Sequence, residues 1–133
     1  MAIENPVLVM TFEAAEDLSA YQYRFVTQYG FTGKTVGLMN AATDIPVGIL
    51  QNAPTIGQMA EVMVIGVSKC VANDAIAVGL YVKAEYVSTS DNGKADAADT
   101  DYDNVVGLVV NASGAEDDLC SVLLTGPSAL MVA

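Results

Sequence analysis

Short runs rich in Val, Ile and Tyr succeed one another along this chain: "KTVGLMN", "IPVGILQN", "AEVMVIG" and "LYVKAEYVS". Gly, Pro, Asn and Asp separate them at intervals of about ten residues, the spacing of an all-β sandwich or barrel. Runs this short cannot hold an isolated helix, and β-branched and aromatic side chains fit a pleated surface. No stretch longer than ten residues keeps apolar side chains at i, i+3, i+4 and i+7 without a glycine interrupting it. The rhythm therefore predicts an all-β fold, a small β-barrel or sandwich with at most one short helix. The best helical segment is "ANDAIAV", Ala72 to Val78, with Asn73 or Asp74 as its cap.

Within that frame "YQYRFVTQY" alternates. Tyr21, Tyr23, Phe25 and Tyr29 fall at odd positions and Gln22, Arg24 and Gln28 at even ones, which predicts a half-buried strand ended by Gly30 and Gly33. Asn92-Gly93 inside "SDNGKA" is a hairpin signal. Consecutive apolar residues at Val62 to Ile65 and at Val122 to Leu124 predict strands covered on both faces, as in a closed barrel or at a subunit interface.

Two pieces of the chain are near-copies. "VGILQNA" at Val47 to Ala53 matches "VGLVVNA" at Val106 to Ala112, 59 residues on; "EVMVIG", ending at Gly66, matches "SVLLTG", ending at Gly126, 60 residues on. The copies differ by one loop residue. A duplicated strand pair fits a body built from two similar halves, and two copies are too few for a solenoid. The matched residues are apolar, glycine or amide, so the repeat itself carries no ligand chemistry, and its differing loops, "PTIGQM" and "SGAEDDL", are left to make contacts.

A chain of 133 residues is expected to form one domain and to remove roughly two thirds of its unfolded surface from water. Hydrophobic residues make up 53 % and charged ones 16 %, more apolar surface than one core needs; an oligomer or a large docking surface is the natural outlet. Sixteen acidic residues against five basic ones give a net charge of −11, which repels phosphate backbones and argues against nucleic acid as a partner. The start "MAIENPVLVM" has no basic segment, and no apolar run approaches the ~20 residues that span a bilayer, so no membrane partner is expected. Cys70 and Cys120 lack C-x-x-C spacing and are expected to be buried free thiols.

Catalytic signatures are weak. Histidine is absent, which removes the commonest general base and the commonest transition-metal ligand. "GFTGKT", Gly30 to Thr35, lacks the first glycine of a phosphate-binding loop, where Gln28 stands, and is followed by a strand-like run. Asp99, Asp101 and Asp103 are spaced as in a calcium loop, but Asn104 replaces the required glycine and Val110 the bidentate glutamate. Glu116, Asp117 and Asp118 are adjacent acids in a Gly-bounded loop, where solvation explains them better than acid-base work. No enzyme activity, metal or cofactor is expected.

"FEAAEDLSAYQYRFV" from Phe12 to Val26, "IPVGILQNAP", "GQMAEVMVIGVSKCVANDAIAVGLYV" and the "DNGKA" hairpin resemble the capsid cement, or head decoration, proteins of tailed bacteriophages. The resemblance runs from about Phe12 to Gly126 and rests on the order of D-L-S-x-x-Q-Y, P-V-G-[IV]-L, and V-x-V-x-G followed by A-x-x-A-I-x-x-G; Gln58 and Leu80 depart from the family's acidic residues after the glycines. It implies a small all-β protein, typically trimeric, made in the bacterial cytoplasm and bound outside the capsid at junctions between major capsid protein subunits. Residues 1–12 would then form an N-terminal arm, 13–126 the body with the repeat at 47–66 and 106–126, and 127–133 an apolar tail. The arms are either strands of the chain's own sheet or segments that order on a neighbour. Their residues Pro6, Val7, Leu8, Val9, Met10, Phe12, Leu130, Met131 and Val132 are the candidate capsid or intersubunit contacts. The alternative reading is another virion surface module, a head fibre, tail or carbohydrate-binding domain using Tyr81, Tyr86 or Tyr102; a third is a metal-assisted hydrolase using the Asp-rich loop.

Overall fold

The computed structural model describes residues 2–28, 34–41, 43–99 and 104–129. Among them nine strands form one sheet: β1 (Asn5–Ala14), β2 (Phe25–Gln28), β3 (Thr35–Leu38), β4 (Pro46–Leu50), β5 (Met59–Val71), β6 (Tyr81–Ala84), β7 (Ala95–Ala97), β8 (Asn104–Asn111) and β9 (Leu119–Ala129). The order is β1-β3-β2-β4-β5-β9-β8-β6-β7, and β1 pairs additionally with β5. That extra pairing joins β1, β3, β2, β4 and β5 in a ring. A parallel bridge from Ala72, just past β5, to Ala95 of β7 joins the remaining strands in a second ring that shares β5. Neither ring is a regular barrel, which corrects the simplest form of that expectation: β1 meets β3 only at Glu13↔Thr35 and Ala14↔Val36, and the second ring closes through that single bridge.

Each ring has its own core. Phe12, Ala14, Leu18, Val26, Val36, Leu50, Ala60 and Val62 fill the first; Cys70, Ala72, Ile76, Val82, Ala95, Val109, Cys120 and Val122 are among those filling the second. Alternation places successive residues of β2 and β4 in different cores: Phe25 and Ile49 in the second, Val26 and Leu50 in the first. The near-copies are structural equivalents. β4 meets β5 at Leu50↔Val62 and β8 meets β9 at Val109↔Val122, the same positions of the repeat. A methyl group on Gly48 would strike the Val62 side chain and the Met63 carbonyl; on Gly107 it would strike the Val122 side chain and the Leu123 carbonyl. The glycine in V-G-[IL] is thus required by the close approach of the following strand, and it is required twice.

Several expectations are corrected. Ala72–Val78 is not helical; Ile76 is held instead by a bridge to Ser113, whose hydroxyl accepts the Ile76 N–H at 3.0 Å and donates to the Asp74 carbonyl at 2.9 Å. The aromatic strand begins only at Phe25. Tyr21–Arg24 is a turn with Tyr23 at φ 65°, whose N–H donates to the Leu50 carbonyl and whose carbonyl accepts the Val71 N–H. Tyr29, Gly30 and Gly33 lie outside the described residues. The hairpin around Asn92-Gly93 exists, joining β6 to β7, but those residues do not make its tip. The Asp91 carboxylate accepts the Val87 and Ser88 N–H groups there, while Asn92 is buried with its amide on the Met39 carbonyl and Arg24 on its side-chain oxygen. Gly93, at φ 80°, presses on the Phe25 backbone and accepts its N–H at 2.8 Å.

Because the obstruction at both glycines includes backbone, Gly48→Ala and Gly107→Ala should each cost about 1–3 kcal/mol of stability, the usual range for overpacking. Denaturant unfolding of the two variants checks this, and a neutral result at one position alone would mean that the copies are not equivalent.

Candidate docking surface

β1 is paired with β5 from Asn5↔Val67 to Glu13↔Met59, so Asn5–Ala14 is a strand of the chain's own sheet. Its side chains are nevertheless in water: all seven residues from Asn5 to Thr11 are exposed, and only Phe12 and Ala14 turn into the core. Val7 is 75 % exposed, and Leu8, Val9 and Met10 are close to half exposed. Ile65, opposite Leu8, and Met59, opposite Glu13, extend the apolar surface on β5. The register slips on either side of Leu8, and Gly66 sits there at φ 128°, where a methyl group would strike the Asn5 carbonyl and the Val7 nitrogen. Between Glu4 and Glu13 the strand has no charge, in a chain with three times as many acids as bases. Full burial of a Val, Leu or Met side chain is worth roughly 1.5–3 kcal/mol, so these residues hold most of the association energy that β1 has to offer.

The structure separates the contact residues expected from sequence. Pro6, Val7, Leu8, Val9 and Met10 are exposed together, whereas Phe12, at 5 % exposure, is core and is removed from the surface set. Leu130, Met131 and Val132 lie outside the described residues. Met59 and Ile65 were not expected: Ile65 sits in a run read as covered on both faces, and the glycine after it was the one available sign that the strand is irregular there. An open groove of about 350 Å³ runs along the same edge, lined by Met10, Thr11, Phe12, Glu13, Lys34 and Met59.

Elsewhere the polar groups serve the fold. Lys94 is buried, and its ammonium reaches out to Asp117 at 2.7 Å and Glu116 at 3.4 Å, tying the β6–β7 hairpin to the loop before β9. The Lys94 hydrogen bond holds the Asp117 carboxyl below its usual range. Asp118 accepts the Gly114 N–H, so the "GAEDDL" acids are occupied in building their own loop. Arg24 and Lys69 lie over the rings of Tyr21 and Tyr23. Among the described residues no three His, Cys, Asp or Glu side chains converge as a metal site would require. Asp99 is exposed, and Asp101 and Asp103 lie outside the described residues, as do Gly30 to Gly33 and Tyr102. Tyr81 is exposed and Tyr86 packs on the second core. Where the two copies of the repeat face each other, Val47, Val64, Val106 and Leu124 leave a cavity of about 10 Å³, too small for a ligand.

One carboxyl is displaced upward. A hydrogen bond that the protonated Glu85 carboxyl donates to the Asp96 side chain, with partial burial, raises Glu85 from 4.5 to about 7. The folded chain therefore holds a proton that the unfolded chain releases between those two values, and stability falls as pH rises through that window.

No protein-family model matches the chain, and no curated protein matches it. A solved structure does: the head fibre gp8.5 N base of bacteriophage phi29 is similar with a TM-score of 0.65 and 18 % identity, over 91 % of this chain and 97 % of that one. At this identity the likeness is one of fold.

Two outcomes follow from the placement of these groups. Val7→Ser and Met10→Ser should leave stability within about 0.5 kcal/mol of the parent, whereas Phe12→Ala should cost about 3–5 kcal/mol in denaturant unfolding. Glu85→Gln should flatten the fall in unfolding temperature between pH 4.5 and about 7, and a fall of undiminished size in the variant would assign the titration to another group.

Proposed function

We propose that this chain is a structural virion protein that binds the outer surface of an assembled phage capsid, bridging major capsid protein subunits and stabilising the mature head. The observation that carries the reading is the uncharged, exposed strand Pro6–Met10 on an acidic body whose fold is that of a phage head-fibre base. Acidity suits an outward face on a shell that encloses DNA. A ligand that binds the finished shell better than its alternatives stabilises it by mass action, and a trimer that touches several subunits adds avidity to each weak contact. The resemblance to decoration proteins supports the stabilising role, and self-association into a trimer belongs to the same proposal.

The fold likeness favours a second reading, a head-fibre base that docks on the capsid to present a further module without strengthening it. Both readings need β1; they differ in what binding does. Purified protein should bind mature shells assembled without it, and Val7→Asp with Met10→Asp should abolish binding while the variant stays folded. A rise in the shell's disruption temperature on binding supports the cement reading. Binding with no rise supports the fibre-base reading, and no binding to any shell form would sink both.

A further inference from the structure

β5 and β9 place the chain's two cysteines directly opposite each other, Cys70↔Cys120, in the second ring. Opposed residues of an antiparallel pair project to the same face with α-carbons about 4.5–5.5 Å apart, inside the ~4.4–6.8 Å that a disulfide spans. Both side chains are buried in the second core. Both are free thiols, with the Cys120 S–H donating to the Cys70 carbonyl at 3.4 Å and the Cys70 S–H to the Val71 carbonyl at 3.7 Å.

We infer that Cys70 and Cys120 are an oxidisable pair, joined by peroxide into a cross-strand disulfide that staples β5 to β9 within the second ring. The thiolate is the attacking form. Burial raises both thiols, Cys120 to about 11, and the nearby Cys120 adds to the rise of Cys70, so alkaline buffer favours the step. The Cys120 sulfur takes one oxygen from hydrogen peroxide as the O–O bond breaks, giving a sulfenic acid and one water. The Cys70 sulfur then displaces the hydroxyl, which leaves with the Cys70 proton as a second water. Two thiols lose two electrons in all, and one peroxide is reduced to two waters. With no third cysteine in the chain, the product cannot be reshuffled within the molecule. A reducing cytosol keeps the pair open, and oxidising surroundings close it.

The test is oxidation of the folded protein with hydrogen peroxide in mildly alkaline buffer, alkylation of remaining thiols, intact-mass measurement and peptide mapping. The expected product has no covalent link between chains, is lighter by two hydrogens, contains a linked Cys70–Cys120 peptide, and unfolds at a higher temperature until a reductant restores the parent value. Cys70→Ala should leave a Cys120 sulfenic acid that dimedone captures. Three results would overturn the inference: thiols that survive in the folded chain under conditions that oxidise them in urea, sulfinic acid or intermolecular dimer as the product, or a disulfide form no more stable than the reduced one.

Discussion

Every strand needs partners for its backbone groups, and β5 is where that requirement is hardest to meet. At Val62 and Met63 it lies between β1 and β4; at Gly66 and Val67 it lies between β1 and β9. One side of a single strand is therefore handed from β4 to β9 within two residues. The handover coincides with the irregular stretch opposite Leu8 and with Gly66, whose φ of 128° no other residue adopts without strain. Both rings close on β5, so this short interval positions both cores.

Duplication explains why one strand can serve two rings. Each copy brings a glycine-bearing strand and a partner that presses on the glycine, and each contributes equivalent valines and leucine to its own core. What differs is what covers the loops. In the first copy the connection after β4 is held by Asn52 and Gln58, which bond the backbone at Met59, Glu61 and Thr55. In the second, the connection before β9 receives the buried Lys94. The halves are alike in their strands and distinct in their neighbours, and β1 adds itself to the first alone.

Much of this was legible in the chain itself. The ten-residue rhythm identified the all-β class and most strands, and the repeat pointed to a body of two similar halves. The misreadings share a physical cause: local patterns report local preference, and distant groups overruled them. Tyr21 to Arg24 alternates like a strand, yet Leu50 and Val71 take up the Tyr23 backbone and bend it. Asn92-Gly93 has the composition of a two-residue turn, yet Arg24, Met39 and Phe25 recruit it as an inward plug. In the surface set, the exposure of Val7 to Met10 was readable because they form an apolar arm near a chain end, where chains are usually polar. Phe12 continues that run and could be told apart from it only by knowing where the core begins. Met59 and Ile65 could not be read at all, since their membership depends on lying across from β1.

The interrupted register at the start of β1 bears on how its apolar surface behaves in water. A straight apolar edge invites another strand to extend its ladder, and then another, which is the route to open-ended aggregation. Here Pro6 has no N–H to offer, and the slips on both sides of Leu8 break the even spacing that a newcomer would need. Under the proposed docking role, a partner would recognise Val7, Leu8, Val9 and Met10 by their side chains and not by extending the ladder. The apolar surface would then stay open to water without every other sheet edge becoming a competitor.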